Sequence, residues 1–169
     1  MRYSSVAAAA ALTLVAISTS LHGQRPDDQI DPRSMALLTR GQAAQAAGNL
    51  DGATDILESA VAVDPRNRAA FVTLGQVAEA RGLPGKAIRL YREALLLEPN
   101  DVAALRGQGE ALVAKGAVQR AKDNLAKIRT ICARTGCTDA TTLAAVIAKG
   151  PPIATASVVV PAVKPTGKE

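Results

Sequence analysis

The chain has 169 residues, enough for about one domain. Hydrophobic residues make up 48% of it and aromatic residues only 2%, which favours close-packed helices over a sheet, where β-branched and aromatic residues are enriched. The formal net charge of +5 is not gathered into a basic stripe with interleaved aromatic side chains, so we expect no nucleic-acid partner.

Residues 1–20 have the layout of a secretory signal peptide. One basic residue precedes an uncharged apolar stretch at 6–17, and small polar residues follow it. The stretch is shorter than the ~20 apolar residues that span a bilayer, so we expect no stable membrane insertion once the signal is removed. The sequence predicts cleavage between Ser18 and Gly23, and a periplasmic or secreted protein.

A polar segment at 21–33 separates this signal from the predicted domain at 34–149. We interpret the segment as a flexible lead-in, with Ser34 as a candidate cap of the first helix. His22, the only histidine of the chain, belongs to the lead-in. The predicted domain therefore lacks the commonest general base and zinc ligand. We expect no catalytic residues, no metal site, no cofactor and no enzymatic activity.

One pattern then occurs three times with a period of 34 residues, at 34–67, 68–101 and 102–135. Each copy reads as two short amphipathic helices joined by a glycine-containing turn, and a fixed period of this length is typical of a stacked helical array. The positions in register are Gly41, Gly75 and Gly109, then Gly48, Gly82 and Gly116, then Ala53, Ala87 and Ala121, and finally Leu57, Tyr91 and Leu125. The predicted helices lie at about 34–47, 50–63, 68–81, 84–97, 102–115 and 118–132.

The small residues in register indicate how the helices of one unit pack. Only small side chains fit where two helices cross closely, so Gly41, Gly75 and Gly109 are expected at the contact within each pair. The larger residues in register are expected to fill the space around that contact.

The C-terminal part departs from the repeat. Residues 138–149 carry an apolar stripe at helical spacing and are predicted to form a helix that caps the exposed end of the array. Residues 150–169 contain four prolines without helical periodicity, which predicts a disordered tail. Cys132 and Cys137 flank a turn between the last repeat and the cap, and in an oxidising compartment they are expected to form a disulfide.

The repeated units resemble tetratricopeptide repeats, a family of helix–turn–helix units with small residues at the eighth, twentieth and twenty-seventh places and a proline at the thirty-second. The residues that carry the resemblance are Gly41, Ala53, Ala60 and Pro65 in the first unit, Gly75, Ala87, Ala94 and Pro99 in the second, and Gly109 and Ala121 in the third. The resemblance implies a right-handed superhelix, so we expect an all-α fold of three units plus the C-terminal capping helix. With the signal-peptide layout, we expect an exported bacterial member of the family.

The resemblance also implies a concave groove lined by the first helix of each unit, which would bind a protein or peptide segment. The groove-facing candidates are Leu38, Gln42, Gln45, Val72, Gln76, Glu79, Arg106, Glu110 and Val113. Members that grip a chaperone's C-terminal carboxylates use groove lysines, asparagines and an arginine. The matching places here hold Leu38, Gln42, Thr73, Ala103 and Gly107, which disfavours that activity.

The leading hypothesis is therefore a non-enzymatic interaction scaffold. Two others remain open. A thiol–disulfide redox protein would use Cys132 and Cys137, although their spacing is not that of the C-x-x-C redox motif. A structural array would self-associate weakly through the apolar ends that three units leave exposed.

Overall fold

The computed structural model describes residues 29–133 and 136–152. The predicted signal peptide, most of the lead-in and residues 153–169 of the predicted tail lie outside the described residues. Within the described part, the structure contains seven helices and no strand. They are α1 (Pro32–Ala46), α2 (Leu50–Val63), α3 (Arg68–Ala80), α4 (Pro84–Leu97), α5 (Val102–Ala114), α6 (Val118–Ile131) and α7 (Thr138–Lys149).

The helices pack in chain order. Each of α1 to α6 contacts its neighbours along the chain, while α7 packs on both α5 and α6. This arrangement confirms the predicted all-α array of three helix–turn–helix units followed by a final helix. Among the described residues, none of the helices is both long and apolar enough to cross a membrane.

Local chemistry at the turns explains the helix boundaries. The first helix of each unit ends before a glycine with positive φ, at Gly48 (76°), Gly82 (70°) and Gly116 (75°). A residue without Cβ adopts this left-handed conformation readily, so it ends a helix at little cost. At the start of α3, the side chain of Asn67 accepts a hydrogen bond from the backbone N–H of Ala70 at 3.1 Å, which satisfies a free donor of the first turn.

Helix α1 begins two residues earlier than predicted. Pro32 occupies its first turn, where a missing N–H costs nothing, and Asp31 caps it by accepting from the N–H of Arg33 at 2.7 Å. Ser34 is therefore not the cap. Its hydroxyl is buried and donates to the carbonyl of Ala60 on α2 at 2.7 Å, so it joins the two helices of the first unit.

Close glycine contacts hold the first two helix pairs together, as predicted. A Cβ atom added at Gly41 would lie 2.5 Å from Leu57 Cγ, and one added at Gly75 would lie 2.6 Å from Tyr91 Cε1. Real Cβ atoms do not approach this closely, so the large side chain of each second helix rests on the bare backbone of the first. Leu57 and Tyr91 are accordingly buried at the centre of their units.

The third unit differs because the final helix takes over this contact. A Cβ atom added at Gly109 would lie 2.7 Å from Leu143 Cδ2 of α7, and Leu143 is fully buried. Cys132 and Cys137 form the predicted disulfide, with their Cα atoms 5.8 Å apart, at the turn that leads into α7. Gly136, with φ of 63°, lies within that turn. The disulfide and Leu143 together fix α7 on the end of the array.

Candidate peptide-binding site

The nine predicted groove residues all lie on α1, α3 and α5, the first helices of the three units. The apolar residues of this set are buried, whereas the polar residues are accessible to solvent. The apolar residues Leu38, Val72 and Val113 are only 4%, 7% and 2% exposed and belong to the hydrophobic core. The polar residues are exposed or half-buried, namely Gln42, Gln45, Gln76, Glu79, Arg106 and Glu110. The accessible part of the predicted groove is therefore polar.

Three of these polar residues meet two others in a cluster contributed by four helices. The hydroxyl of Tyr91 donates to Glu79 Oε2 at 2.6 Å. Arg106 Nη1 donates to Glu110 Oε1 at 2.9 Å, and Arg106 Nε donates to Asp139 Oδ1 at 2.8 Å. We call these five residues the acidic cluster, because Glu110 and Asp139 bind the guanidinium of Arg106 and its charge also acts on the carboxyl group of Glu79.

The resemblance to tetratricopeptide repeats predicted Glu79, Arg106 and Glu110 as groove residues, but it did not predict the other two members of the acidic cluster. Tyr91 was predicted only as a packing residue, and its ring does pack on Gly75. Asp139 lies in the first turn of α7, which does not follow the repeat, so the period gives no register for it. Its acidic side chain beside the N-terminus of a predicted cap helix was the available signal.

The electrostatics of the acidic cluster centre on Glu79. Burial raises the pKa of Glu79 to about 7, the hydrogen bond from Tyr91 opposes this rise, and the charge of Glu110 adds to it. Burial and the neighbouring Glu79 also raise the pKa of the Tyr91 hydroxyl, so Tyr91 remains a donor at neutral pH. The cluster thus contains a carboxyl group that changes charge close to physiological pH.

A cavity of about 370 Å³ adjoins the acidic cluster. It lies between the C-terminal ends of α5 and α7, and Glu110 belongs to both its wall and the cluster. Val113, Ala114 and Val146 give it an apolar lining, and Lys149 lies at its edge. This end of the array therefore offers an apolar recess beside a set of carboxyl groups.

The described part of the chain offers no cluster of metal-binding side chains. In 29–133 and 136–152, no group of three or more histidine, cysteine, aspartate or glutamate side chains could hold a metal ion. The two cysteines of this part of the chain are paired with each other.

The family comparison agrees with this geometry. A family model described as tetratricopeptide repeat matches residues 38–95 and 72–123, which together span about half of the chain. The chain belongs to the tetratricopeptide repeat (TPR) family. A comparison with curated proteins gives no match.

Solved structures with a similar fold include several TPR domains. The Sgt2 TPR domain from Aspergillus fumigatus has a TM-score of 0.66 and 21% identity, covering 74% of this chain and 83% of that one. The first TPR of Spaghetti (RPAP3), bound to the HSP90 peptide SRMEEVD, has a TM-score of 0.65 and 19% identity, covering 75% and 97%. MamA has a TM-score of 0.56 and 26% identity, covering 58% and 57%. At these identities the first two similarities concern the fold alone.

Proposed function

We propose that this protein is a non-enzymatic interaction scaffold that binds a peptide or protein segment along the face formed by α1, α3 and α5. One observation carries the proposal. Polar side chains recur on the first helix of three consecutive units and remain accessible, while the apolar residues of the same helices are buried in the core. A protein of the same fold, the first TPR of Spaghetti, is bound to an HSP90 peptide.

The chemistry of this face suits an extended chain. Gln42, Gln45 and Gln76 each present a carbonyl acceptor and an amide donor, so they can pair with either the C=O or the N–H of a peptide backbone. Glu79, Arg106 and Glu110 continue the face with charged groups. The glutamines would supply contacts that do not depend on peptide sequence, and the charged end would supply selectivity.

A selection from a random nonapeptide library tests this function. We expect enriched peptides to bind the protein and to lose at least about tenfold in affinity when Gln42→Arg and Gln76→Arg are combined, since two long cations would crowd the face. Ser59→Arg combined with Gln119→Arg is the matched control, because both residues are exposed and lie on second helices. Failure to enrich any peptide, or equal binding by both double variants, would overturn the proposal.

We also propose that the protein is exported and acts in the periplasm or outside the cell. The layout of residues 1–20 supports export, and a disulfide between Cys132 and Cys137 suits an oxidising compartment. Fractionation of cells that express the epitope-tagged chain would test the location. Recovery of an uncleaved chain in the cytoplasm would contradict it.

The disulfide itself is better suited to a structural role than to redox exchange. Cys132 and Cys137 are half-buried and pack against the cluster that contains Leu125, Ile128 and Leu143. Reactive thiols require access for a partner thiolate, which this packing restricts. The redox hypothesis would require activity that disappears when both cysteines are replaced by serine while the fold persists.

A further inference from the structure

We propose that the ligand of this scaffold is a peptide that pairs an aliphatic side chain with a lysine or arginine. The aliphatic group would occupy the cavity between α5 and α7, and the cation would lie against the carboxyl groups of Glu79 and Glu110. The inference rests on the peptide-binding function proposed above and adds the chemistry of the partner.

The cavity is large enough for an apolar side chain of a ligand. Its volume of about 370 Å³ lies within the ~300–1,000 Å³ range of ligand pockets, so an aliphatic side chain would fit inside it. Val113, Ala114 and Val146 line it, while Glu110 marks the side that faces the acidic cluster. An aliphatic side chain would bury apolar surface there without leaving a polar group unpaired.

Charge complementarity specifies the second element of the ligand. Arg106 is already engaged by Glu110 Oε1 at 2.9 Å and by Asp139 Oδ1 at 2.8 Å. An incoming carboxylate would therefore meet the charges of Glu79 and Glu110 beside a guanidinium that is already paired. The three carboxyl groups of Glu79, Glu110 and Asp139 outnumber the two cations of this end of the array, Arg106 and Lys149 at the cavity edge. An incoming ammonium or guanidinium would balance the one carboxyl group in excess.

The contacts of Glu79 show why a carboxyl group at this position indicates a cationic ligand. Its visible structural contact is the hydrogen bond from Tyr91 at 2.6 Å, which a glutamine carbonyl would accept equally well. A glutamine would also avoid placing a charge in a half-buried position. The hydrogen bond with Tyr91 therefore does not require a charge at this position. Arg106, which acts on Glu79, is already bonded to Glu110 and Asp139, so a cation from a partner would balance the ionised Glu79.

The same geometry predicts pH-dependent binding. The groups that face Glu79 are Tyr91 from α4, Arg106 and Glu110 from α5 and, through Arg106, Asp139 from α7. Burial raises the pKa of Glu79 to about 7, and a bound cation would stabilise the ionised form. Affinity should accordingly rise as pH increases through about 7 and level off above it.

Defined peptides test the proposal by fluorescence anisotropy. The probes are blocked alanine–serine nonapeptides with one leucine and one lysine, separated by one to four residues, and matched sets in which glutamate replaces lysine or alanine replaces leucine. At pH 8 we expect the best leucine–lysine peptide to bind at least about tenfold tighter than either matched set. Glu79→Gln should weaken that binding severalfold and remove its rise between pH 6 and pH 8.

A pair of cavity variants adds a test that does not involve charge. Ala114→Phe would fill the cavity from the exposed last residue of α5 and should weaken the leucine–lysine peptide at least about tenfold. Ala80→Phe is the matched control, because Ala80 is the exposed last residue of α3 and occupies the same place one repeat earlier. The control should leave the affinity unchanged.

Three results would overturn the proposal. Lysine and glutamate peptides could bind equally, or Ala114→Phe could have no more effect than Ala80→Phe. The leucine–lysine peptides could also bind only after residues 153–169 are removed, in which case this chain's own tail, with Val158–Val160 and Lys164, would be the occupant. If the selected library peptides bind through Gln42 and Gln76 but lack the leucine–lysine pair, this inference alone is refuted. If the library yields no peptide that depends on Gln42 and Gln76, the scaffold function itself is refuted.

Discussion

Replacing Glu79 with glutamine should stabilise the protein at neutral and alkaline pH. The Glu79 carboxyl group is half-buried and accepts one hydrogen bond from Tyr91 at 2.6 Å. Burial raises its pKa from the ordinary value of 4.5 to about 7. A glutamine carbonyl would keep the hydrogen bond and would not need to become charged in this position.

The pKa difference sets the sign and the size of the effect. Between pH 4.5 and about 7 the unfolded chain loses the Glu79 proton while the folded chain keeps it, so the folded state binds more protons. The contribution of Glu79 to the free energy of unfolding must then fall as pH rises through this window and become constant above it. The difference between the pKa values of Glu79 in the unfolded and folded chain corresponds to roughly 3 kcal/mol. Because the carboxyl group is partly exposed, we reduce the expected effect to roughly 2 kcal/mol.

Urea unfolding followed by circular dichroism at pH 4.5 and pH 8 measures this effect. The stability of Glu79→Gln relative to the unsubstituted protein should increase by about 2 kcal/mol between the two pH values, because the other ionisable groups cancel in the difference. Glu98→Gln, at an exposed carboxyl group, is the control for loss of a surface charge. A relative stability of Glu79→Gln that does not change with pH would refute the reasoning.

Four further variants, one of them a control, test the packing by the same urea assay. Gly75→Ala should lower the free energy of unfolding by about 1 kcal/mol or more, since its Cβ would lie 2.6 Å from the ring of Tyr91. The control Gly85→Ala, whose Cβ would meet nothing within 4 Å, should raise it by about 0.5 kcal/mol. Effects of the same sign in the two variants would contradict this. Cys132→Ser with Cys137→Ser should lower it by about 2 kcal/mol and leave peptide affinity unchanged, whereas lost function with unchanged stability would favour the redox hypothesis. Asn67→Ala should cost about 2 kcal/mol, because it removes a helix cap and a donor to a buried hydroxyl, and a loss below 1 kcal/mol would argue against that role.

The helices could be predicted from sequence because local chemistry determines their ends. The predicted ranges 50–63, 84–97 and 138–149 coincide with α2, α4 and α7. Gly82 ends one helix with a positive φ, and Pro84 opens the next in its first turn. Such signals act over a few residues, so they do not depend on knowledge of the fold.

Features that depend on distant contacts were not predictable in the same way. Ser34 precedes an apolar run and resembles a cap, but its hydroxyl accepts from Asn67 Nδ2 at 2.8 Å across the first repeat junction. The contact between Arg106 and Asp139 depends on the packing of α7 against α5. Because α7 is not a copy of the repeated unit, the period that placed Arg106 carries no information about Asp139.

Because Leu38, Val72 and Val113 are buried, the proposed peptide contacts would come from the polar side chains of the same helices and from the cavity at the end of the array. Glu79 then connects stability to function, since one substitution should improve the first and impair the second. If Glu79→Gln gains stability at pH 8 and also loses affinity for a lysine peptide, the charge serves the partner at the expense of the fold. If the variant gains stability while peptide affinity stays the same, the ligand cation does not lie against Glu79, and the proposed cationic ligand is refuted.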